Sequence, residues 1–487
     1  MIELKDLSFR YTNGADGILS HIDLTIPDGQ CVLLCGESGC GKTTLCRMIN
    51  GLAPHFYEGT VDGEIRVDGL HPNREELYIT ARKVGSVFQN PRSQFFCVDT
   101  ISELAFGCEN QGLPEDVVSG RIAEVTRQLH IEPLLDRNIF DLSGGEKQKI
   151  ACASVAAVYP DVFVLDEPTS NLDIDAVDDL KQTLLFWKSQ GKTIIIAEHR
   201  LYWLADICDR VVYMRGGRVE RDMPMEDFRA LPAAEISSLG LRTLSLDSLS
   251  FSTSARSGSD SLVLKDFKYS YGENPAMDIS ELELPENAVI ALIGHNGAGK
   301  STLSRCLCGL ERRFRGTVVL DGQKLGRRQL LKKSYMVMQD VNHQLFCETV
   351  DDEVRLGMVE DNADIVQQIL EQMDLSEYTD RHPMSLSGGQ KQRVAVASAI
   401  LAEKELLIFD EPTSGLDYHH MEQTAQLISA QMGKKTCLIV THDPELIALC
   451  CSFVIHMEAG TVSDAYALNA EGMRKLLAFF QRKSGRT

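Results

Sequence analysis

Reduced to apolar and polar positions, the chain repeats one rhythm twice. Short β-branched and leucine-rich runs of about five residues alternate with longer segments whose apolar residues recur at helical spacing. Runs with no polar face predict strands of a parallel sheet covered by helices on both sides. In the first half they fall at 31–35, 162–165 and 193–197, and in the second at 289–293, 406–409 and 436–440. Each half also opens on a strand-like segment, IELKDLSFRY or LVLKDFKYSY. The expected fold class is therefore α/β, in two domains, 1–240 and 262–487. Residues 241–261 are serine-rich and poor in periodic apolar positions after Phe251, which predicts a flexible linker.

The residues just after each apolar run carry the chemistry. Runs 31–35 and 289–293 lead into GESGCGKT at 36–43 and GHNGAGKS at 294–301. Gly36, Gly39 and Gly41, with Gly294, Gly297 and Gly299, let the backbone turn sharply and aim successive N–H groups at a phosphate, which the positive end of the next helix also attracts. Lys42 and Lys300 supply charge to the β- and γ-phosphates, and the hydroxyls of Thr43 and Ser301 suit Mg²⁺. Ser38, Thr44, Asn296 and Thr302 complete the expected loop contacts. Runs 162–165 and 406–409 end in Asp166 and Asp410, placed for the metal, and then in Glu167 and Glu411, placed to polarise an attacking water. Runs 193–197 and 436–440 lead towards His199 and His442. The tetrapeptide LSGG, with Ser143, Gly144 and Gly145 or Ser387, Gly388 and Gly389, opens a helical pattern with serine near its N-cap, a second anion-binding helix end. Open α/β sheets hold ligands at the carboxyl ends of their strands, where the loops, the Asp-Glu pairs and the histidines all fall.

The two copies keep register. The offset is 258 residues between Lys42 and Lys300, 244 between Ser143 and Ser387 and between Glu167 and Glu411, and 243 between His199 and His442. One unit was duplicated, and both copies kept what phosphoryl chemistry needs.

Composition then narrows the partners. A net charge of −21 and an isoelectric point near 5.0 argue against nucleic acid as the main partner, since that binding needs a basic surface. The same charge is repelled by anionic lipid, so work at a membrane requires attachment through another protein. No apolar stretch of 18 residues occurs, and MIELKDLSFRY lacks a signal-peptide pattern, which makes the cytosol the expected compartment. The fourteen cysteines include no C-x-x-C pair, and most read as small buried hydrophobes in a reducing compartment.

GESGCGKT, LSGGE, VFVLDEPTS and SNLD in the first half, and GHNGAGKS, LSGGQ, LLIFDEPTS and SGLD in the second, resemble the motif series of the ATP-binding-cassette superfamily over nearly the whole chain. The resemblance implies two tandem P-loop ATPase domains, each a mainly parallel core sheet with helices, an antiparallel β portion and a helical subdomain. It implies ATP and Mg²⁺ as cofactors, and an intramolecular pseudo-dimer in which Ser387 completes the Lys42 site and Ser143 the Lys300 site. It also gives Gln89 and Gln339 contact with Mg²⁺ and the attacking water, His199 and His442 contact with the γ-phosphate, and Tyr11 and Tyr271 stacking on adenine, with Tyr269 a competitor for the last. Glu146 departs from the usual signature glutamine, and Cys40 stands where the second copy has Ala298; neither removes a required group. VFQNPRSQFFCVDTISELAFG aligns without a gap to VMQDVNHQLFCETVDDEVRLG. With Ala-Glu-His-Arg around His199, this stretch is similar to energy-coupling-factor transporter ATPases. That resemblance implies an importer of a vitamin, vitamin precursor or transition-metal ion, an integral-membrane transport subunit, a separate solute-binding subunit, and attachment to the inner face of the membrane. The alternatives are the tandem ATPase of a sugar importer and a soluble ribosome-associated tandem ATPase.

Overall fold

All six apolar runs are strands in the computed structural model, which describes residues 1–12, 19–170, 172–249, 251, 261–320 and 322–481. The chain divides into two units, Met1–Ser245 and Leu246–Thr487. In the first, a six-stranded sheet runs in the order Val84–Val87, Val162–Asp166, Thr193–Ala197, Cys31–Gly36, Arg210–Arg215, Arg218–Pro224. Only the last strand is antiparallel to its neighbour. The second unit repeats the order with Ser334–Val337, Leu406–Asp410, Thr436–Val440, Val289–Ile293, Phe453–Glu458 and Thr461–Ala467.

The lack of a polar face in these runs is explained by what covers them. In the first unit Leu33, Ile194 and Ile196 point into one core, beside Phe163 and Trp187, whose rings stack at 3.8 Å. Their neighbours Val32, Leu34, Ile195 and Ala197 point into another, beside Leu45 and Ile49 of the helix Lys42–Ile49. Apolar residues on both faces of one strand are thus both used. The opening segments form a separate antiparallel sheet in each unit, Ile2–Tyr11 pairing with Leu19–Ile26 and Gly59–Val67, and Ser261–Tyr271 with Asn274–Pro285 and Arg315–Leu320. Helices Thr100–Asn110 and Glu115–Gln128, with Val350–Arg355 and Ala363–Gln372, supply the helical portions.

The segment expected as linker is partly packed. Leu241 joins the first core and Arg242 is buried, while Leu246 is buried at the start of the second unit; residues 250 and 252–260 lie outside the described residues. The last helix, Ala470–Phe480, buries Met473, Leu476, Phe479 and Phe480, and the Phe479 ring lies against His456 and against His295 of the phosphate loop. Twelve of the fourteen cysteines are buried, as expected of small apolar residues. Among the described residues no helix is long and apolar enough to cross a membrane.

Candidate functional site

Each phosphate loop leaves the carboxyl end of a central strand through a glycine that no other residue can replace. Gly36 has φ +148°, and a Cβ there would lie 2.2 Å from the carbonyl oxygen of Met214; at Gly294, with φ +146°, the obstacle is Met457 O at 2.2 Å. Gly41 and Gly299, both left-handed, then start the helices Lys42–Ile49 and Lys300–Leu307. The lysine side chains fold back into the loops. Lys42 Nζ donates to Gly36 O and Glu37 O, both at 2.9 Å, and Lys300 Nζ to Gly294 O at 2.6 Å and His295 O at 3.0 Å.

Sheet order brings the acidic pair to the same place. Asp166 pairs with Ala197 and Asp410 with Val440 at the strand ends. Thr43 Oγ1 donates to Asp166 Oδ1 at 3.0 Å, and Ser301 Oγ to Asp410 Oδ2 at 3.1 Å. A hydroxyl and a carboxylate converging beside a phosphate loop are a hard-oxygen set, which fits Mg²⁺ taking its remaining ligands from phosphates and water. Among the described residues no group of three or more His, Cys, Asp or Glu side chains could hold a metal unaided. Burial raises both aspartates above their ordinary value; Asp166, with Glu167 beside it adding to the effect, is pushed up to about 7.

That shift fixes a sign. Because the folded value lies above the ordinary 3.8, the stability Asp166 contributes to the nucleotide-free protein is complete below about pH 4 and is lost as pH rises through about 7. Asp166→Asn cannot ionise. Its melting temperature is expected to gain on the wild type between pH 4 and 7 and to hold that gain above; parallel melting curves across this window would refute the argument.

Glu167 and Glu411 stand in the left-handed region, with φ of 45° and 51°, a conformation that costs a non-glycine residue energy and recurs at active sites. Their backbone N–H groups donate to Ala197 O and Val440 O, which ties each glutamate to the histidine-bearing strand. The Glu167 carboxylate accepts from Gln89 Nε2 at 2.7 Å and lies 3.3 Å from His199 Nε2. Burial is the largest single influence and raises it, but His199, Lys42 and Arg242 together outweigh burial and hold it below its ordinary value, ionised and able to accept a proton. In the second unit Glu411 lies 3.9 Å from His442 Nε2 and accepts from Thr441 Oγ1 at 3.3 Å, while Gln339 is exposed.

Both signature serines are N-caps of the helices Gly144–Ala157 and Gly388–Leu401, each in a reciprocal capping box. Ser143 N donates to Glu146 Oε2 at 2.8 Å, and Ser387 N to Gln390 Oε1 at 2.9 Å. Glutamate and glutamine close this box equally, which explains the departure at Glu146. Tyr11 Oη lies 3.2 Å from Thr44 Oγ1, and Tyr271 Oη the same distance from Thr302 Oγ1. Tyr271 is 49% exposed, whereas its competitor Tyr269 is 8% exposed and donates to Glu311. Arg47, which the sequence did not single out, donates to Tyr11 Oη and lies over the Tyr57 ring at 3.8 Å.

The aligned glutamine stretches also have a structural reason. Gln94 Oε1 accepts from Phe88 N and Gln344 Oε1 from Met338 N, which closes the loop. One oxygen of Glu103 accepts the N–H groups of Phe96 and Cys97, and one of Glu353 those of Phe346 and Cys347. So held, the loops present Phe96 and Phe346 at 74% and 70% exposure.

Comparison with known proteins gives one family. A family model described as ABC transporter matches residues 19–170 and 277–414. A protein of Treponema denticola, provisionally named an ABC transporter ATP-binding protein, is 46% identical over 470 residues, 95% of this chain and 96% of its own length. One of Methanosarcina acetivorans with the same name is 33% identical over 520 residues, 95% of this chain and 85% of its own. Among solved structures, an archaeal ribosome recycling factor in complex with a ribosomal stalk protein matches 99% of this chain and 94% of that one, with TM-score 0.68 and 22% identity, a likeness of fold alone.

Proposed function

The chain belongs to the ABC transporter family, with two of its ATPase domains in one polypeptide, and from that premise we propose that it hydrolyses ATP at both phosphate loops to drive a membrane importer of the energy-coupling-factor type. The observation that carries the catalytic part is the repeated set of threaded lysine, hydroxyl-aspartate pair and strained glutamate in both units. Mg²⁺, when bound at Thr43 and Asp166 or Ser301 and Asp410, supplies charge neutralisation at the phosphates. Glu167 and Glu411 accept the proton of the attacking water. Positioning and electrostatics account for the rest. In the ATP-bound state the signature serines complete the opposite sites, Ser387 that of Lys42 and Ser143 that of Lys300.

Support for the transport role comes from the names of the relatives and from the paired exposed phenylalanines, which suit an apolar protein partner. The proposed partners are an integral-membrane transport subunit and a separate solute-binding subunit, which would hold this chain on the inner face of the membrane. A sugar importer with one degenerate site fits less well, because both units carry the threaded lysine, the hydroxyl-aspartate pair and the strained glutamate.

A second reading, a soluble tandem ATPase acting on the ribosome, is favoured by the whole-chain likeness in fold to the recycling factor. A net charge of −21 opposes it, since ribosomal RNA is a polyanion. Affinity purification from detergent-solubilised cells, with identification of the co-purifying chains, decides between them. Integral-membrane subunits whose recovery falls in a Phe96→Ala/Phe346→Ala variant are expected. Recovery with sedimenting ribosomes and no membrane protein would overturn the importer reading.

A further inference from the structure

Each unit ties its histidine segment to its Asp-Glu-Pro-Thr turn through a buried carboxylate, but the two take that carboxylate from different positions. Glu198 and Thr441 are equivalent: each comes directly after the last residue of its strand, and each donates its backbone N–H to the phosphate-loop strand, Glu198 to Leu34 O at 3.2 Å and Thr441 to Leu292 O at 3.4 Å. Glu198 is 3% exposed. One of its oxygens accepts the hydroxyl of Thr169, two residues after Glu167, and the other accepts the backbone N–H of His199 at 2.7 Å. It is a staple between the glutamate and histidine segments. Thr441 carries no carboxylate. There Thr413, the counterpart of Thr169, donates to Asp443 Oδ2 at 3.0 Å, and the Asp443 N–H donates to Thr441 Oγ1 at 3.0 Å.

The exchange has a local cause. Asp443 is also the N-cap of the helix Pro444–Cys450, its Oδ1 accepting from the N–H groups of Glu445 and Leu446, so cap and staple share one side chain. In the first unit position 443 corresponds to Arg200, and the residues after it run as turns, with no helix for a carboxylate to cap.

We propose that Glu198 and Asp443 are interchangeable positioning residues for hydrolysis, each holding its glutamate and histidine in register so that the carboxylate faces the water. This rests on the reading of Glu167 and Glu411 as the catalytic bases. A carboxylate that only satisfied a buried hydroxyl would affect stability; one that sets register affects the rate of the bound complex.

The test is single-turnover phosphate release in an E411Q background, which isolates the first site. Glu198→Thr, the second unit's residue without its staple, is expected to lower the rate about tenfold while the ATP concentration for half-saturation stays within about twofold. Adding Arg200→Asp rebuilds the second unit's arrangement, and the rate should return to within about threefold of the parent. Glu198→Gln keeps an acceptor for the His199 N–H and should lose less than the threonine variant. Should Glu198→Thr not fold, the reciprocal pair in an E167Q background carries the test: Asp443→Arg lowers second-site release, and Thr441→Glu with Asp443→Arg restores it. An unchanged rate, a loss confined to ATP affinity, or a failure of the double variants to recover despite parental melting temperatures overturns the proposal. If the E411Q parent releases no more phosphate than E167Q/E411Q, the catalytic reading itself fails and the staple falls with it, a result distinct from a silent Glu198→Thr.

Discussion

Replacing either Glu167 or Glu411 by glutamine is expected to lower steady-state ATP turnover by at least about tenfold, and replacing both by roughly a hundredfold or more. The substitution keeps the shape of the side chain and removes its ability to take a proton. At Glu167 it also sets an amide against two groups that approach the carboxylate, Gln89 Nε2 at 2.7 Å and His199 Nε2 at 3.3 Å. A glutamine has one acceptor oxygen for them where the glutamate has two. In the second unit Thr441 donates at 3.3 Å and His442 stands off at 3.9 Å, so the contacts that Glu411→Gln disturbs there are longer. A single-turnover trace separates the contributions: each single variant should release about half the wild-type burst, and the double variant none above background. Wild-type steady-state turnover from either single variant would show that glutamate to be non-catalytic.

How much of this was legible beforehand depended on the kind of interaction. The six strands could be read because burial on both faces leaves no polar position to interrupt the run, and 193–197, 289–293 and 436–440 match the observed strands end for end. The phosphate loops could be read because a glycine is needed wherever a Cβ would strike the backbone, as at Gly36 and Gly294. In the helix Ala470–Phe480, buried Met473 and Leu476 share one apolar face, but contact of Phe479 with a phosphate-loop histidine has no signature in local periodicity. The staples were invisible for a related reason. Glu198 and Thr169 lie 29 residues apart and meet only because their strands are neighbours. The Ala-Glu-His-Arg segment marked a subfamily without revealing that its glutamate takes over the work of Asp443. In the segment between the halves, serine content suggested a linker from 241, yet Leu241 packs into the first core and Arg242 is buried. A few apolar anchors outweigh a polar background when a groove receives them.

Removing the loop lysines has the largest effect expected on binding. Lys42→Ala and Lys300→Ala should each lower ATP affinity at one of the two loops about a hundredfold, and the double variant should lose most of the rise in melting temperature that ATP gives the wild type. Both ammonium groups are buried and lie within 3.0 Å of two loop carbonyls, so each lysine shapes the loop before any phosphate arrives. Alanine removes that brace together with the positive charge opposite the triphosphate. The same charge also favours ionised carboxylates beside it, since Lys42 helps hold both Asp166 and Glu167 down against burial. Loss of Lys42 should therefore raise Asp166 from about 7 and weaken its hold on Mg²⁺ at neutral pH, and the affinity lost should be larger at about pH 6.5 than at about pH 8.5. The Lys300 variant should show a trend of the same sign, because Lys300 likewise lowers Asp410 against burial. Titration of a fluorescent ATP analogue at the two pH values, with melting temperatures taken without nucleotide to confirm the fold, measures both effects. Wild-type affinity and stoichiometry in Lys42→Ala/Lys300→Ala would mean that these loops do not hold the triphosphate.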